Sequence, residues 1–371
     1  MISVMIDGTP LLLRSAGVKN HLYYWIRGLT EFARGNRVSV FPFLNGFGRV
    51  AHETSVVGRV ATWERLALLI AANISPYPIL NWLVPRADIF HVSQQMLNPP
   101  RKAPLTATIY DMTCWLVPEM HTTANVIGTK RMAERVYPLA AGLIAISECT
   151  KADAVRVMGI KPELIDVIPP GVAPAFFEVP AAAAQETPLG YGLRKPYVLY
   201  VGTIEPRKNL NALLDAWQQL SSSLREQFEL VIAGSWGWGD RAVFDRLQSG
   251  IPGVRYLGYV PEPDLPAVTA AATAFIYVSL YEGFGLPVAQ ALAAGVPTIT
   301  SSVSSLPDVA GDAGLLVDPH STAEIRDALD RVLLSPSLRA QLAAKSPAQA
   351  RRFTWDICAR KSWAFFERLC A

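Results

Sequence analysis

Short apolar runs ending in small or polar residues alternate with segments of helical length along nearly the whole chain. No other feature limits the fold so tightly. ISVMIDG (2–8), RVSVFPFL (37–44), DIFHVS (88–93), LTATIYDM (105–112) and GLIAISE (142–148) read as strands. HLYYWIRGLTEFA (21–33), TKRMAERVYPLA (129–140) and CTKADAVRVMG (149–159) carry helical apolar spacing. Strands that are apolar almost throughout, separated by helices, predict an α/β protein whose parallel sheet is covered on both faces.

The alternation breaks once. IPPGVAPAFFEVPAAAAQETPLGYGLRKP (168–196) is dense in Pro, Ala and Gly and reads as a linker. Beyond it the pattern restarts with YVLYVGT (197–203), FELVIAG (228–234), VRYLGYV (254–260), AFIYVS (274–279), TITS (298–301) and LLVD (315–318). The prediction is two Rossmann-like α/β domains with parallel sheets facing a central cleft, closing on a ligand about the linker. The first domain spans 1–172, the linker 173–196 and the second domain 197–352. A final helix over 353–371 presents Trp355, Ile357, Trp363, Phe366 and Leu369 and can pack back on the N-terminal domain. A length of 371 residues fits two domains, and 51% hydrophobic against 18% charged residues excludes a disordered chain.

The net charge is +3, with a slight excess of cations in residues 1–180. That excess fits an anionic substrate or an acidic membrane surface, and equally fits chance scatter. No polybasic run or nucleic-acid motif occurs, so no nucleic-acid partner is expected. Cys114, Cys149, Cys358 and Cys370 form no C-x-x-C pair, which argues against a disulfide framework or zinc site and for a reducing, cytoplasmic setting. MISVMIDGTP reads as a first strand rather than a signal peptide. ERLALLIAANISPYPILNWLV (64–84) is the most membrane-like segment, but Asn73, Pro76, Pro78 and Asn81 argue against spanning. It reads as a buried helix, a turn and a short helix. The alternative is peripheral contact with the inner face of the membrane.

In such sheets ligands lie beyond the carboxyl ends of the strands, where the Gly-rich and charged segments fall. YEGFGLPVAQAL (281–292) follows a strand. Gly283 and Gly285 permit close backbone approach, and Pro287 suits a first helical turn whose free amides and dipole make an anion site. A phosphate fits there, with Glu282 beside it accepting from hydroxyls and Gln290, about one turn in, reaching further hydroxyls. The alternative is a strand-to-helix turn in which Glu282 caps nearby amides. VGTIEPRKNL (201–210) places Arg207 and Lys208 before a helix with Asn209 as N-cap, a pair suited to a diphosphate or merely solvated. LLLRSAGVKNHLYYW (11–25) places Gly17 before a helix starting near Asn20 and lacks the dinucleotide fingerprint.

VGTIEPRKNL, ELVIAGSWGW (229–238), VRYLGYVPEPDLPAV (254–268), YVSLYEGFGLPVAQALAAGVPTIT (277–300) and SSLPDVAGDAGLLVDP (304–319), in that order, resemble the donor half of family 4 retaining glycosyltransferases. The resemblance extends to bacterial polysaccharide mannosyltransferases. It covers most of residues 197–356 and implies the GT-B fold. The N-terminal half is less similar, carried by the Gly17 loop and YDMTCWLVPEMH (110–121). By this resemblance Glu282 is the first acid of the E-x7-E motif and contacts the transferred sugar. Gly283, Phe284, Gly285 and Leu286 form the phosphate-side loop, Lys208 is the diphosphate lysine with Arg207 as helper, and Gly17 lies near the phosphates. Gly202 and Thr203 follow the strand on the donor side. Three positions depart from the family pattern. Gln290 replaces the second acid at the ribose, Thr203 stands where many members have Arg, and Tyr110 precedes Asp111 where many have His.

The resemblance implies retaining transfer of a sugar, mannose by overall similarity, from a GDP- or UDP-linked donor. The acceptor is a hydroxyl of a glycan or lipid-linked molecule in polysaccharide or lipopolysaccharide synthesis. The donor is a substrate, so no cofactor or metal is expected, and the cations with the helix start stabilise the leaving diphosphate. Asp111 is expected to orient or deprotonate the acceptor, or to anchor its loop. The alternatives are an epimerase or hydrolase on the same fold, or a non-catalytic donor-binding partner subunit.

Overall fold

The structure is a computed structural model that describes residues 1–13, 17–44, 54–75, 77, 79–93, 96–239 and 241–371. Contacts divide the chain into two compact units. The first holds Met1–Pro118, Thr123–Gly171 and Trp355–Ala371, and the second holds Glu119–Thr122 and Val172–Thr354.

The first unit contains strands β1 (Ser3–Asp7), β2 (Arg37–Phe41), β3 (Ile89–Val92), β4 (Leu105–Ile109), β5 (Ala140–Ala145) and β6 (Ile165–Val167). They form one parallel sheet in the order β2-β1-β3-β4-β5-β6. β3 and β4 are buried at every residue, as expected of strands covered on both faces. The order reverses between β1 and β3. There the carboxylate of Asp7 accepts from the Ser93 amide (3.2 Å) and hydroxyl and from the Thr9 amide (3.1 Å), which ties the two strand ends together.

The C-terminal helix Trp355–Cys370 belongs to this unit and lies against the helix Gly17–Glu31. Trp25 Nε1 donates to Ser362 Oγ (2.9 Å) and Trp363 Nε1 to the Leu29 carbonyl (3.1 Å). Gly28 allows the approach, since a Cβ there would lie 3.3 Å from the Trp355 carbonyl oxygen. Phe365 and Phe366 are fully buried, and each such ring contributes roughly 3 kcal/mol of stability.

The second unit contains β7 (Tyr197–Val201), β8 (Glu229–Ala233), β9 (Val254–Gly258), β10 (Ala274–Tyr277), β11 (Thr298–Ser301) and β12 (Gly314–Val317). This sheet is also parallel, in the order β12-β11-β10-β7-β8-β9. The chain runs outward from β7 in one direction and then outward from β10 in the other. The crevice between the ends of β7 and β10 is therefore the switch point where doubly wound sheets bind ligands.

Three local expectations are corrected, and one strand is new. The helix after the Gly17 loop already includes Gly17 rather than starting near Asn20, its described part being Gly17–Glu31. The segment 173–196 is not bare linker, because it carries the helix Ala181–Gly190, which packs within the second unit on the helix Leu265–Ala270. β6 was not anticipated, because three residues after a turn give no periodicity. The helix expected to be buried within 64–84 is Arg59–Ile74, and only Leu69 and Ala72 of it are buried. Pro76 and Pro78 lie outside the described residues.

Candidate active site

Two loops meet at the switch point of the second sheet. The one after β7 carries Gly202, Thr203, Arg207 and Lys208, and the one after β10 carries Glu282 to Leu286. Backbone and side-chain bonds join them. The Leu280 amide donates to the Arg207 carbonyl (2.9 Å), and Arg207 Nη1 donates to the Tyr281 carbonyl (2.6 Å). Asn209 is in the left-handed region (φ 58°), and its Nδ2 donates to the carbonyls of Val278 (3.1 Å) and Pro319 (2.7 Å). Its side chain therefore does not cap the following helix Leu210–Gln218, contrary to expectation. It joins three loops instead.

Glu282 is buried and is not a simple cap of backbone amides. Lys208 Nζ lies 2.6 Å from its Oε1, and Arg207 Nη1 lies 2.9 Å from its Oε2. The Tyr277 hydroxyl accepts from Lys208 Nζ (2.7 Å) and donates to Glu282 Oε1 (3.0 Å). Burial alone would raise the Glu282 pKa, but the charges of Arg207 and then Lys208 outweigh it and hold the carboxyl at about 2. Burial, and next the Glu282 charge, push the Tyr277 phenol well above its ordinary value, so it keeps its proton. Arg207 also pairs with buried Glu205 (2.7 Å). The two cations read as diphosphate ligands and the acid read as a sugar ligand thus form one connected cluster.

The turn after Glu282 is held from β11. The Ser304 hydroxyl accepts from the Glu282 amide (3.0 Å), and the Ser305 hydroxyl donates to the carbonyls of Glu282 (2.9 Å) and Phe284 (2.8 Å). Phe284 is buried edge-on against Phe353. Gly285 precedes the helix Leu286–Ala293 at φ 96°, and a Cβ on it would come within 2.4 Å of Leu306 Cδ2. The first turn of that helix leaves amide donors without intrahelical partners. Gln290 is buried in this helix, and among the described residues its amide makes no hydrogen bond. On the other side Gly234 approaches the backbone of Gly202, where a Cβ would lie 1.9 Å from the Gly202 oxygen. Thr203 is half-buried beside them.

Gly17 and Asp111 belong to the first unit. Gly17 is the first described residue of its helix, and a Cβ there would touch nothing within 4 Å. Buried Lys19, two residues on, donates to the carbonyls of Leu13 and Thr54 (2.7 Å each), and burial lowers its ammonium to about 8. Arg14, Ser15 and Ala16 of that loop lie outside the described residues. One oxygen of Asp111 accepts from the Thr113 amide (3.0 Å) and hydroxyl, as a loop anchor would. The Tyr110 hydroxyl lies 3.1 Å from His21 Nδ1.

Sequence reasoning passed over Tyr277, Glu205, Ser304 and Ser305. Tyr277 ends an apolar strand and reads as core, and only its place five residues before Glu282 at a strand end marks it out.

Residues 15–176 match the family profile described as Glycosyltransferase Family 4, and residues 185–349 the profile described as Glycosyl transferases group 1. The chain is similar to O-antigen chain mannosyltransferase B of Escherichia coli, with 34% identity over 276 residues, 73% of this chain and 72% of that protein. It is 28% identical over 323 residues to the serotype-specific mannosyltransferase WbdA of Escherichia coli, but spans only 39% of that longer protein. The fold matches Anabaena HepE in complex with UDP at a TM-score of 0.74 and 17% identity, over 99% of this chain and 100% of that one. It also matches WaaG, a glycosyltransferase involved in lipopolysaccharide biosynthesis, at a TM-score of 0.70 and 17% identity, over 98% and 99% of the two chains. With two parallel-sheet units, two matched profiles and a relative similar across most of both lengths, the chain belongs to the GT-B-fold glycosyltransferases related to family 4 and group 1, enzymes that transfer sugar from nucleotide-linked donors.

Proposed function

We propose that the chain transfers mannose from GDP-mannose to a hydroxyl of a glycan or lipid-linked acceptor, with retention at the anomeric carbon and without a metal ion. The buried Glu282–Lys208–Arg207 cluster at the switch point carries this reading. In the reaction the bond from C1 to the phosphate oxygen breaks, and its electron pair leaves with GDP. A bond forms from C1 to the acceptor oxygen, and the acceptor proton passes to the leaving phosphate. Charge grows on the diphosphate as the bond breaks, so Lys208, Arg207 and the amides at Gly285 and Leu286 act where the transition state needs them. In this reading Glu282 accepts from sugar hydroxyls. Gln290 serves the ribose, which suits an amide left without a protein partner.

Retention is supported by this arrangement. The acid nearest the phosphate loop is held by two cations, so it is a poor nucleophile for double displacement, and attack on the face of the departing phosphate is preferred. Gly17 is assigned to the phosphate side, because nothing in its packing calls for glycine. Asp111 is assigned to the acceptor side, and one of its oxygens is committed to its own loop. The mannose assignment rests on similarity to the mannosyltransferases.

The test offers GDP-mannose and UDP-glucose, each with EDTA, to the protein and a mannose-terminated lipid-linked oligosaccharide. Mass spectrometry and NMR of the product follow. Gain of one hexose from GDP-mannose, with the donor's anomeric configuration, supports the proposal. Free sugar released at the same rate without acceptor would identify a hydrolase instead, and an altered sugar still attached to nucleotide would identify an epimerase.

A further inference from the structure

The helix Arg59–Ile74 is apolar on two opposite faces. Leu69 and Ala72 point into the first unit, while Val60, Trp63, Ala67, Ile70 and Ile74 recur at helical spacing on the far side. Among the described residues nothing covers that far side. Val60 is 73% exposed, Trp63 71% and Ile74 78%. The short helix Leu80–Leu83 then adds Trp82, also 73% exposed, and Leu83. Scattered single apolar residues on a surface need no explanation, but a stripe along one helix face, with a second exposed tryptophan on the helix that follows, does.

Charge indicates what covers it. Arg59 opens the helix, and Arg86 follows Trp82 by four residues. The segment carrying Arg101 and Lys102 is tied to the far end of the stripe. Asn98 Nδ2 donates to the carbonyls of Ala72 (3.1 Å) and Asn73 (3.0 Å), and the Arg101 amide donates to Asn81 Oδ1 (2.6 Å). All four cations are exposed. Against them stand two exposed carboxylates, Glu64 at the edge of the stripe and Asp88, which already accepts from the Ser3 amide and hydroxyl. A second copy meeting this face across a two-fold axis would set the same cations against one another. A bilayer carrying anionic headgroups accepts both the cations and the tryptophans, whose amphipathic rings favour the membrane–water boundary. No helix among the described residues is long and apolar enough to cross a membrane, so the stripe would lie on the surface.

We propose that the exposed stripe of the helix Arg59–Ile74, continued by Trp82 and flanked by Arg86, Arg101 and Lys102, is a docking surface for an anionic lipid bilayer. This does not depend on the donor or the reaction assigned above.

The experiment is flotation of the full chain with vesicles of phosphatidylcholine alone and of phosphatidylcholine with phosphatidylglycerol, at low and high salt, alongside sedimentation of the lipid-free protein. The wild type should float with the anionic vesicles at low salt and less at high salt. Each cation at a bilayer surface contributes about fivefold to partitioning, so Arg101→Glu with Lys102→Glu should lower it at least 25-fold. Trp63→Ser with Trp82→Ser should lower it at least tenfold without changing the melting temperature, because both side chains are exposed. Absence of flotation at any anionic lipid content overturns the proposal. So does undiminished flotation of the tryptophan variant. Self-association of the wild type that the tryptophan variant abolishes, without flotation, would assign the stripe to a second copy.

Discussion

Replacing Glu282 by Gln removes the charge that Lys208 and Arg207 share, and the cost follows from the pKa. The carboxyl is held at about 2 against a usual 4.5. At about 1.4 kcal/mol per unit, the ionised form stabilises the fold by about 3 kcal/mol at neutral pH. A depressed acid contributes this fully above its unfolded value and loses it as pH falls from about 4.5 towards 2. Linkage leaves only about half of it at pH ~3. Glu282→Gln is therefore predicted to lose about 3 kcal/mol in urea unfolding at neutral pH, and about half of that at pH ~3. Lys208→Met removes a partner of the same carboxylate. The double variant should be more stable than the two single losses imply, by about 1 to 2 kcal/mol, as for groups in direct contact. Equal losses at both pH values, or a coupling below about 0.5 kcal/mol, would show that the cluster is not an interacting ion network.

Gly285→Ala forces a side chain into a left-handed backbone and against Leu306, so it should lower stability by about 2 kcal/mol and weaken GDP binding. A thermal melt matching the wild type would contradict that reasoning. Phe366→Ala should cost about 3 to 5 kcal/mol in urea unfolding, because the ring is fully buried where the C-terminal helix packs within the first unit. Gln290→Ala should weaken nucleoside diphosphate binding about fivefold in calorimetry, while Gln290→Glu retains it. Unchanged affinity in the alanine variant would remove Gln290 from the ribose.

The parallel sheets were legible because strands buried on both faces need near-continuous apolar runs, and YVLYV or LTATI can hardly be read otherwise. β6 was not legible, since Ile165–Val167 is too short to show a period. The helix Arg59–Ile74 was misjudged for a related reason. Apolar residues all round a helix suggest burial, and sequence cannot show that one of its two apolar faces is left exposed among the described residues. In the site, the Gly-Phe-Gly turn announced itself through backbone chemistry local to a few residues. The contact of Glu282 with Arg207 and Lys208 did not, because it exists only through the adjacency of β7 and β10 in the sheet. Asn209 shows the same limit. A residue type suited to capping was placed instead where its side chain joins three loops.

In the proposed reaction the cation-bearing loop after β7 binds the diphosphate of a nucleotide donor. Calorimetric titration of GDP, UDP and ADP, each with EDTA, into wild type and Lys208→Ala tests it most directly. GDP should bind the wild type, with its affinity at least tenfold lower in the variant, as loss of a charged hydrogen bond to phosphate requires. Equal GDP affinity in the two proteins, or binding of none of the three nucleotides, would contradict it.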